Sequence, residues 1–256
     1  MEDEFYMTLV SNLKTKEFKN NTQSHFITPL PKPLQLNIDE WGVGLAEIII
    51  PDTWFNITKK ENKITIENKG ISRTIYLAPG YYTVNQFKKE LQSKIDGSRP
   101  VGKNTSEFSF NFDLESNKFE ITVNKNIKIL ITKQLSEKLG YDKMELKEGR
   151  NVSTEPCDLD TNCHIIFVYS NIVSETMLGN EYVKLLRTIT TPCPFIGHTR
   201  QQIIYTTITF DRPHYKKVST SFENKIEIAL VNSKGDPFIF ESGEVHVTLH
   251  FKKFKK

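Results

Sequence analysis

The sequence predicts a mainly β fold, an antiparallel β-sandwich that carries a small α+β insertion. Two observations predict it. Short segments whose apolar and polar residues alternate with period two recur along the chain, separated by turn residues such as Ser233-Lys234-Gly235-Asp236-Pro237. One internal stretch, about residues 72–150, instead mixes helix signals with strands. The expected division is residues 1–71 and 151–256 for the sandwich and residues 72–150 for the insertion.

In chain order, strands are expected at Phe5–Val10, His25–Thr28 and around Trp41–Ala46. In the third, large side chains alternate with Gly42, Gly44 and Ala46, the pattern of a central strand whose second face is pressed closely by other backbone. Ile64–Ile66 follows. Thr83 and Gln86 then form a capping box, and Val84, Phe87, Leu91 and Ile95 share one helical stripe that Asp96-Gly97 ends. Phe108, Phe110 and Phe112 alternate, Glu115-Ser116-Asn117 turns the chain, and Phe119, Ile121 and Val123 alternate back as a hairpin. Ile127–Ile131 is a further strand, and a short helix, Lys133–Leu139, starts at Thr132 and stops at Gly140. The sandwich resumes with Ile165–Tyr169, Val183–Thr190, Ile203–Phe210 and Ile226–Val231. In the final strand, Val245, Val247, Leu249 and Phe251 point one way, toward a core, while Glu244, His246 and His250 point the other.

Composition bounds the function. The 256 residues carry 34 Lys and Arg against 31 Asp and Glu, a net charge of +3, which argues against a dedicated nucleic-acid binder. The longest aliphatic run, Leu45–Ile50, is interrupted by Glu47 and falls far short of the ~20 apolar residues needed to span a bilayer, so no membrane span and a soluble protein are expected. The acidic start Met1-Glu2-Asp3-Glu4 has no apolar segment behind it, so no signal peptide is expected. Cys157, Cys163 and Cys193 are odd in number and fit reduced thiols; the sequons at Asn20, Asn56, Asn104 and Asn151 are then expected to stay unmodified.

Glu244, His246 and His250 are the best metal constellation available, since residues i, i+2 and i+6 of a strand share a face, but no convergent ligand from another strand is evident. Cys157, Cys163, His164 and Cys193 lack the Cys-x2-4-Cys spacing that clasps zinc. Cys163 and His164 are adjacent, and on a strand would face opposite ways, so they cannot act as a nucleophile and base. No phosphate loop, dinucleotide-binding turn or nucleophile elbow occurs. No enzyme, cofactor or metal is expected. Trp41, Trp54 and Phe55 are read as core rather than as an aromatic platform. Lys252, Lys253, Lys255 and Lys256 form a basic cluster around Phe254 that could meet a partner or a nucleic-acid backbone without sequence preference; the alternative is a solvated tail.

Two ordered sets of residues carry a resemblance. The first is Phe5-Tyr6-Met7-Thr8-Leu9-Val10-Ser11-Asn12, then Asn20-Asn21-Thr22, Trp41-Gly42-Val43-Gly44-Leu45-Ala46-Glu47-Ile48 and Pro51-Asp52-Thr53-Trp54-Phe55-Asn56-Ile57. The second is Val168-Tyr169-Ser170-Asn171-Ile172-Val173, Leu185-Leu186-Arg187, Tyr215-Lys216-Lys217-Val218 and Gly235-Asp236-Pro237-Phe238-Ile239-Phe240, with Gly243 and the last strand. Together they resemble the minor capsid, or penton, proteins of Polinton (Maverick) elements and adintoviruses, and more distantly virophage pentons. The resemblance implies a jelly-roll β-sandwich, a structural virion protein and no enzyme. It further implies homopentamers at the fivefold vertices of an icosahedral capsid, beside a major capsid protein of double jelly-roll type; the insertion is then a candidate vertex decoration, and the sequence does not show which way it points. Two alternatives stand beside it. One is a lectin-like or receptor-binding sandwich using Tyr81 and Tyr82, the other a metal-dependent jelly-roll enzyme using His246 and His250.

Overall fold

The structure, a computed structural model, describes residues 3–12, 18–97, 107–161, 163–191 and 204–254. The chain forms two compact units: unit one is Met1–Trp54 with Asn162–Lys256, and unit two is Phe55–Thr161.

Unit one opens with β1 (Glu4–Val10), β2 (His25–Gln35) and β3 (Trp41–Pro51). Unit two contributes β4 (Lys63–Asn68), β5 (Ile71–Tyr76), α1 (Val84–Gly97), β6 (Phe108–Asp113), β7 (Lys118–Val123), β8 (Ile127–Ile131), α2 (Lys133–Lys138), β9 (Glu145–Leu146) and β10 (Gly149–Val152). The chain returns to unit one through β11 (Ile165–Ser170), β12 (Thr176–Leu178), β13 (Glu181–Val183) and β14 (Leu185–Thr190). It ends with β15 (Tyr205–Thr209), β16 (Lys216–Lys217), β17 (Phe222–Val231) and β18 (His246–Lys253).

Unit one has two main antiparallel sheets. One runs β1-β18-β3-β15 with the short β16 beside β3, the other β14-β11-β17-β2. Counting the eight long strands along the chain, the first sheet takes the first, eighth, third and sixth, and the second takes the fifth, fourth, seventh and second. That interleaving is the double Greek key of a jelly roll, so the fold is a mainly β jelly-roll sandwich. Its core forms where the period-two alternation predicts: Val247, Leu249 and Phe251 of β18 are fully buried with Val43, Leu45 and Ile48 of β3, and Phe26, Ile166 and Ile228 are equally buried in the other sheet. Trp41 and Trp54 are also buried.

The glycines of β3 behave as expected of a pressed central strand. A methyl on Gly44 would lie 2.9 Å from the Pro213 Cβ and 3.3 Å from the His214 carbonyl oxygen, and one on Gly42 would lie 2.4 Å from the Phe254 ring. Several strands differ from expectation: β3 runs on to Pro51, β17 already starts at Phe222, and the short strands β5, β9, β10, β12 and β16 add to those the alternation predicts. β2 continues past Thr28 to Gln35 through Pro29, Pro31 and Pro33, which an edge strand tolerates because its outward groups need no ladder partner. The segment expected as one strand over Val183–Thr190 breaks at Lys184, whose carbonyl accepts from Ser170 N, and becomes β13 and β14.

Unit two packs the sheets β10-β7-β6 and β5-β4-β8-β9 with α1 and α2 around one apolar core. The 72–150 span lies within it. Residues 55–71 join because β4 pairs with β8, Ile64 opposite Ile131, and the exit segment is tied by Ser153 N to Phe119 O and Cys157 N to Asn117 O. The capping box forms reciprocally: Gln86 N donates to Thr83 Oγ1 at 3.2 Å and Thr83 N donates to Gln86 Oε1 at 2.9 Å. Phe87, Leu91 and Ile95 are buried along α1. Thr132 caps α2 by accepting from Leu135 N, and Gly140 follows at φ 79°, with the Glu155 carbonyl oxygen 2.1 Å from where a Cβ would sit.

Candidate functional site

The pairing register sorts unit one into two ends. Glu4 of β1 lies opposite Lys252 of β18, Lys253 N donates to Asp3 O, and Phe254 N donates to Glu40 O, so the start of β1, the end of β18 and the loop before β3 share one end. At the other end, Ser11 N donates to Val245 O and Glu241 N donates to Thr53 O. The chain therefore leaves the jelly roll after Trp54 at the end away from Glu4 and Lys252.

Of the expected contact lysines, Lys252 and Lys253 close β18, while Lys255 and Lys256 lie outside the described residues. Lys252 Nζ stands 3.7 Å from Glu4 Oε2 and Lys253 Nζ 3.2 Å from Glu40 Oε2; nearby, Lys217 Nζ is 3.8 Å from Asp39 Oδ1. Each lysine thus has an acid beside it. Exposed pairs of this kind are weak and salt-screened, so the positive charge stays accessible to a stronger anion.

The metal constellation does not converge. His246 Nε2 is 3.3 Å from Glu244 Oε2, and Glu244 Oε1 accepts from Asn12 Nδ2 at 2.8 Å. His250 belongs to a different cluster. Its ring stacks on Tyr6 at 4.1 Å, its Nδ1 shares a 2.8 Å hydrogen bond with the Tyr215 hydroxyl, and its Nε2 lies 3.4 Å from Glu4 Oε2. Among the described residues, no group of three or more His, Cys, Asp or Glu side chains is placed to hold a metal.

Burial, with a smaller contribution from Asp158, pushes the Cys157 thiol up to about 12, which keeps it protonated and unreactive near neutrality. Cys163 and His164 precede β11 rather than lying on it, and the Cys163 carbonyl accepts from Thr191 Oγ1. Cys193 lies outside the described residues. Tyr81 and Tyr82 are half-buried and hydrogen-bonded within unit two: Tyr81 donates to Asp160 Oδ2 at 3.0 Å and Tyr82 donates to the Ala78 carbonyl at 2.6 Å. The Asn56 and Asn151 side chains are buried, so neither sequon could carry a glycan in this fold.

Sequence reasoning missed two features of unit two. A shallow depression of ≈ 470 Å³ is lined by Phe112, Leu114, Arg150 and Val152 among others, and Arg150 there grips both Glu120 oxygens at 2.9 and 3.0 Å. That grip holds the Glu120 carboxyl below its usual range. The second feature is a buried polar cluster in which Lys138 pairs with Glu61 at 3.1 Å and donates to the Asn56 carbonyl, while Asn56 Nδ2 reaches Asp160 Oδ1 at 3.1 Å. No helix among the described residues is long and apolar enough to cross a membrane.

No family model matches the chain, and no curated protein matches it. Among solved structures, the chain is similar to the crystal structure of the selenomethionine-labelled mavirus penton protein, with 11% identity, a TM-score of 0.48, and 99% of this chain and 100% of that chain covered. It is also similar to a chain of the 3.5 Å cryo-EM structure of the Sputnik virophage, with 13% identity, a TM-score of 0.46, and 99% and 98% of the two chains covered.

Proposed function

We propose that this protein is a structural capsid subunit of the penton kind, whose work is to assemble with copies of itself at the fivefold vertices of an icosahedral particle. The observation that carries the reading is the jelly-roll strand order, which makes unit one a rigid two-sheet body with two different flanks, β1 and β2 on one side and β15 and β14 on the other. A ring of identical subunits requires such a body, because each rotation brings one flank against the opposite flank of the next copy. The residue resemblance to Polinton and adintovirus pentons supports the same reading and adds a double jelly-roll major capsid protein as neighbour.

The ends of the sandwich give the subunit a direction. With the Glu4–Lys252 end of the sandwich turned to the particle interior, Lys252 and Lys253, which Lys255 and Lys256 follow in the sequence, face the genome or adjoining capsomers, and the point where the chain departs for unit two faces outward. The test is native mass with electron microscopy of the purified protein. A species of five times 29.6 kDa with fivefold class averages is expected. A two-fold dimer, or a monomer at every concentration reached, counts against the reading.

A further inference from the structure

The four outer edges of the jelly roll are treated very differently, and the difference can be read from hydrogen-bond parity. In an antiparallel ladder, alternate residues turn their N–H and C=O toward the partner strand and the rest turn them away. Leu230 N donates to Ser24 O, so on β2 it is His25, Ile27 and Pro29 that face outward. All three are closed off. His25 N donates to Thr22 Oγ1 at 3.0 Å and its carbonyl accepts from Thr22 N at 2.8 Å. The Asn21 side-chain amide takes both groups of Ile27, each at 3.0 Å. Pro29 has no N–H to offer, and Pro33 repeats the device beyond the register shift. Capping and proline of this kind prevent an edge from recruiting another strand.

Among the described residues, the edges of the other sheet carry no such protection. Ser11 N to Val245 O and Lys253 N to Asp3 O fix the parity of β1, so Glu4, Tyr6, Thr8 and Val10 turn their backbone groups outward. Asp52 N to Ile204 O and Phe210 N to Ala46 O do the same for β15, where Tyr205, Thr207 and Thr209 face outward. None of these outward groups has a partner among the described residues, and neither strand contains proline or lysine. Phe5 and Met7 of β1, and Ile208 and Phe210 beside the other edge, are only half-buried, whereas Val43 and Leu45 of the central strand are fully buried. Among the described residues, both edges of this sheet therefore leave outward backbone groups unpaired and apolar side chains half-buried.

We propose that β15 of one subunit pairs antiparallel with β1 of the next copy of this chain, so that the β1-β18-β3-β15 sheet runs on from subunit to subunit. The inference rests on the ring reading above and names its contact. Polarity supports it: β1, β18, β3 and β15 alternate in direction, so β15 runs opposite to β1. Rotation about an axis along the strands preserves direction, and the junction is then antiparallel like every other pair in the sheet. The junction also brings Phe5 and Met7 against Ile208 and Phe210 on the inner side. The second sheet cannot continue in the same way, because β14 would meet the capped edge of β2.

Proline at an outward-facing position removes a donor from the edge and leaves the internal ladder intact, so Thr207→Pro and Thr8→Pro are matched tests. By sedimentation, each variant should run as a folded monomer at a concentration where the wild type is a pentamer, and Thr207→Val, which keeps the N–H, should still assemble. Pentamers from both proline variants would overturn the strand pairing and leave the ring reading standing. A wild type that never assembles overturns both. A two-fold dimer broken by Thr207→Pro but not by Thr8→Pro would assign the edge to a symmetric β15 contact instead, overturning the proposal. Should a proline variant fail to fold, hydrogen exchange of the wild type decides. The Tyr205, Thr207 and Thr209 amides should be protected only in the assembled state, and equal exchange in monomer and assembly would overturn the pairing.

Discussion

Asp52 follows the last residue of β3 with its carboxyl partly withdrawn from water, and burial raises its pKa while the hydrogen bond from Thr206 Oγ1 at 2.8 Å pulls it back. An acid whose folded pKa is raised loses stability on ionising. The cost is absent below the ordinary value of 3.8 and fully present above the folded pKa. Thr206→Val removes the compensating donor, so it should destabilise unit one by about 1 kcal/mol at neutral pH, with the difference from wild type shrinking as pH falls toward 3.8. Urea melts of the two proteins between pH 3.5 and 7 check it, and a pH-independent difference would show that Thr206 acts through packing alone. This pair was not legible in the sequence, because Asp52 and Thr206 meet only through the pairing of β3 with β15. The glycines of β3 were half legible. Period two announces that something presses on Gly42 and Gly44, but not that it is the Phe254 ring in one case and the Pro213–His214 backbone in the other, since both come from segments far along the chain.

At the scale of elements, local signals served best where the chain folds on its neighbours. The capping box at Thr83, the Phe108–Val123 hairpin and the stop at Gly140 each involve residues a few positions apart, and each forms as the spacing predicts. The strand breaks failed where a distant partner decides: Lys184 interrupts a run of β-formers because its carbonyl serves Ser170. α2 holds a stronger case. Lys138 ends a short helix and reads as a surface residue, yet it is 3% exposed, with Glu61 and the Asn56 carbonyl as partners. A buried charge that loses its partner is costly, so Lys138→Met should destabilise unit two by about 3 kcal/mol by stranding Glu61. The double variant Lys138→Met with Glu61→Leu should recover most of that loss. Thermal melts of the single and double variants provide the cycle, and a single variant as stable as wild type would mean that Glu61 reaches water without its partner.

For the whole molecule, the sandwich class is visible in alternation alone, but the jelly roll is not, because its defining pairs join β1 to β18 and β2 to β17 across most of the chain. The residue resemblance supplied that topology in advance, and the strand order now states it independently. The same order makes the two units separable in principle, since every strand pair among the described residues lies within one unit. Unit one should then fold without residues 55–161 when about ten Gly and Ser residues, spanning roughly 17 Å, join Trp54 to Asn162. Its near-UV spectrum and a single cooperative melt would report the fold. Because β1 and β15 both belong to unit one, the shortened chain should also form the same ring as the full chain under the assembly reading. A shortened protein that folds but stays monomeric, while the full chain forms pentamers, would move the essential contact from the sheet edges to unit two.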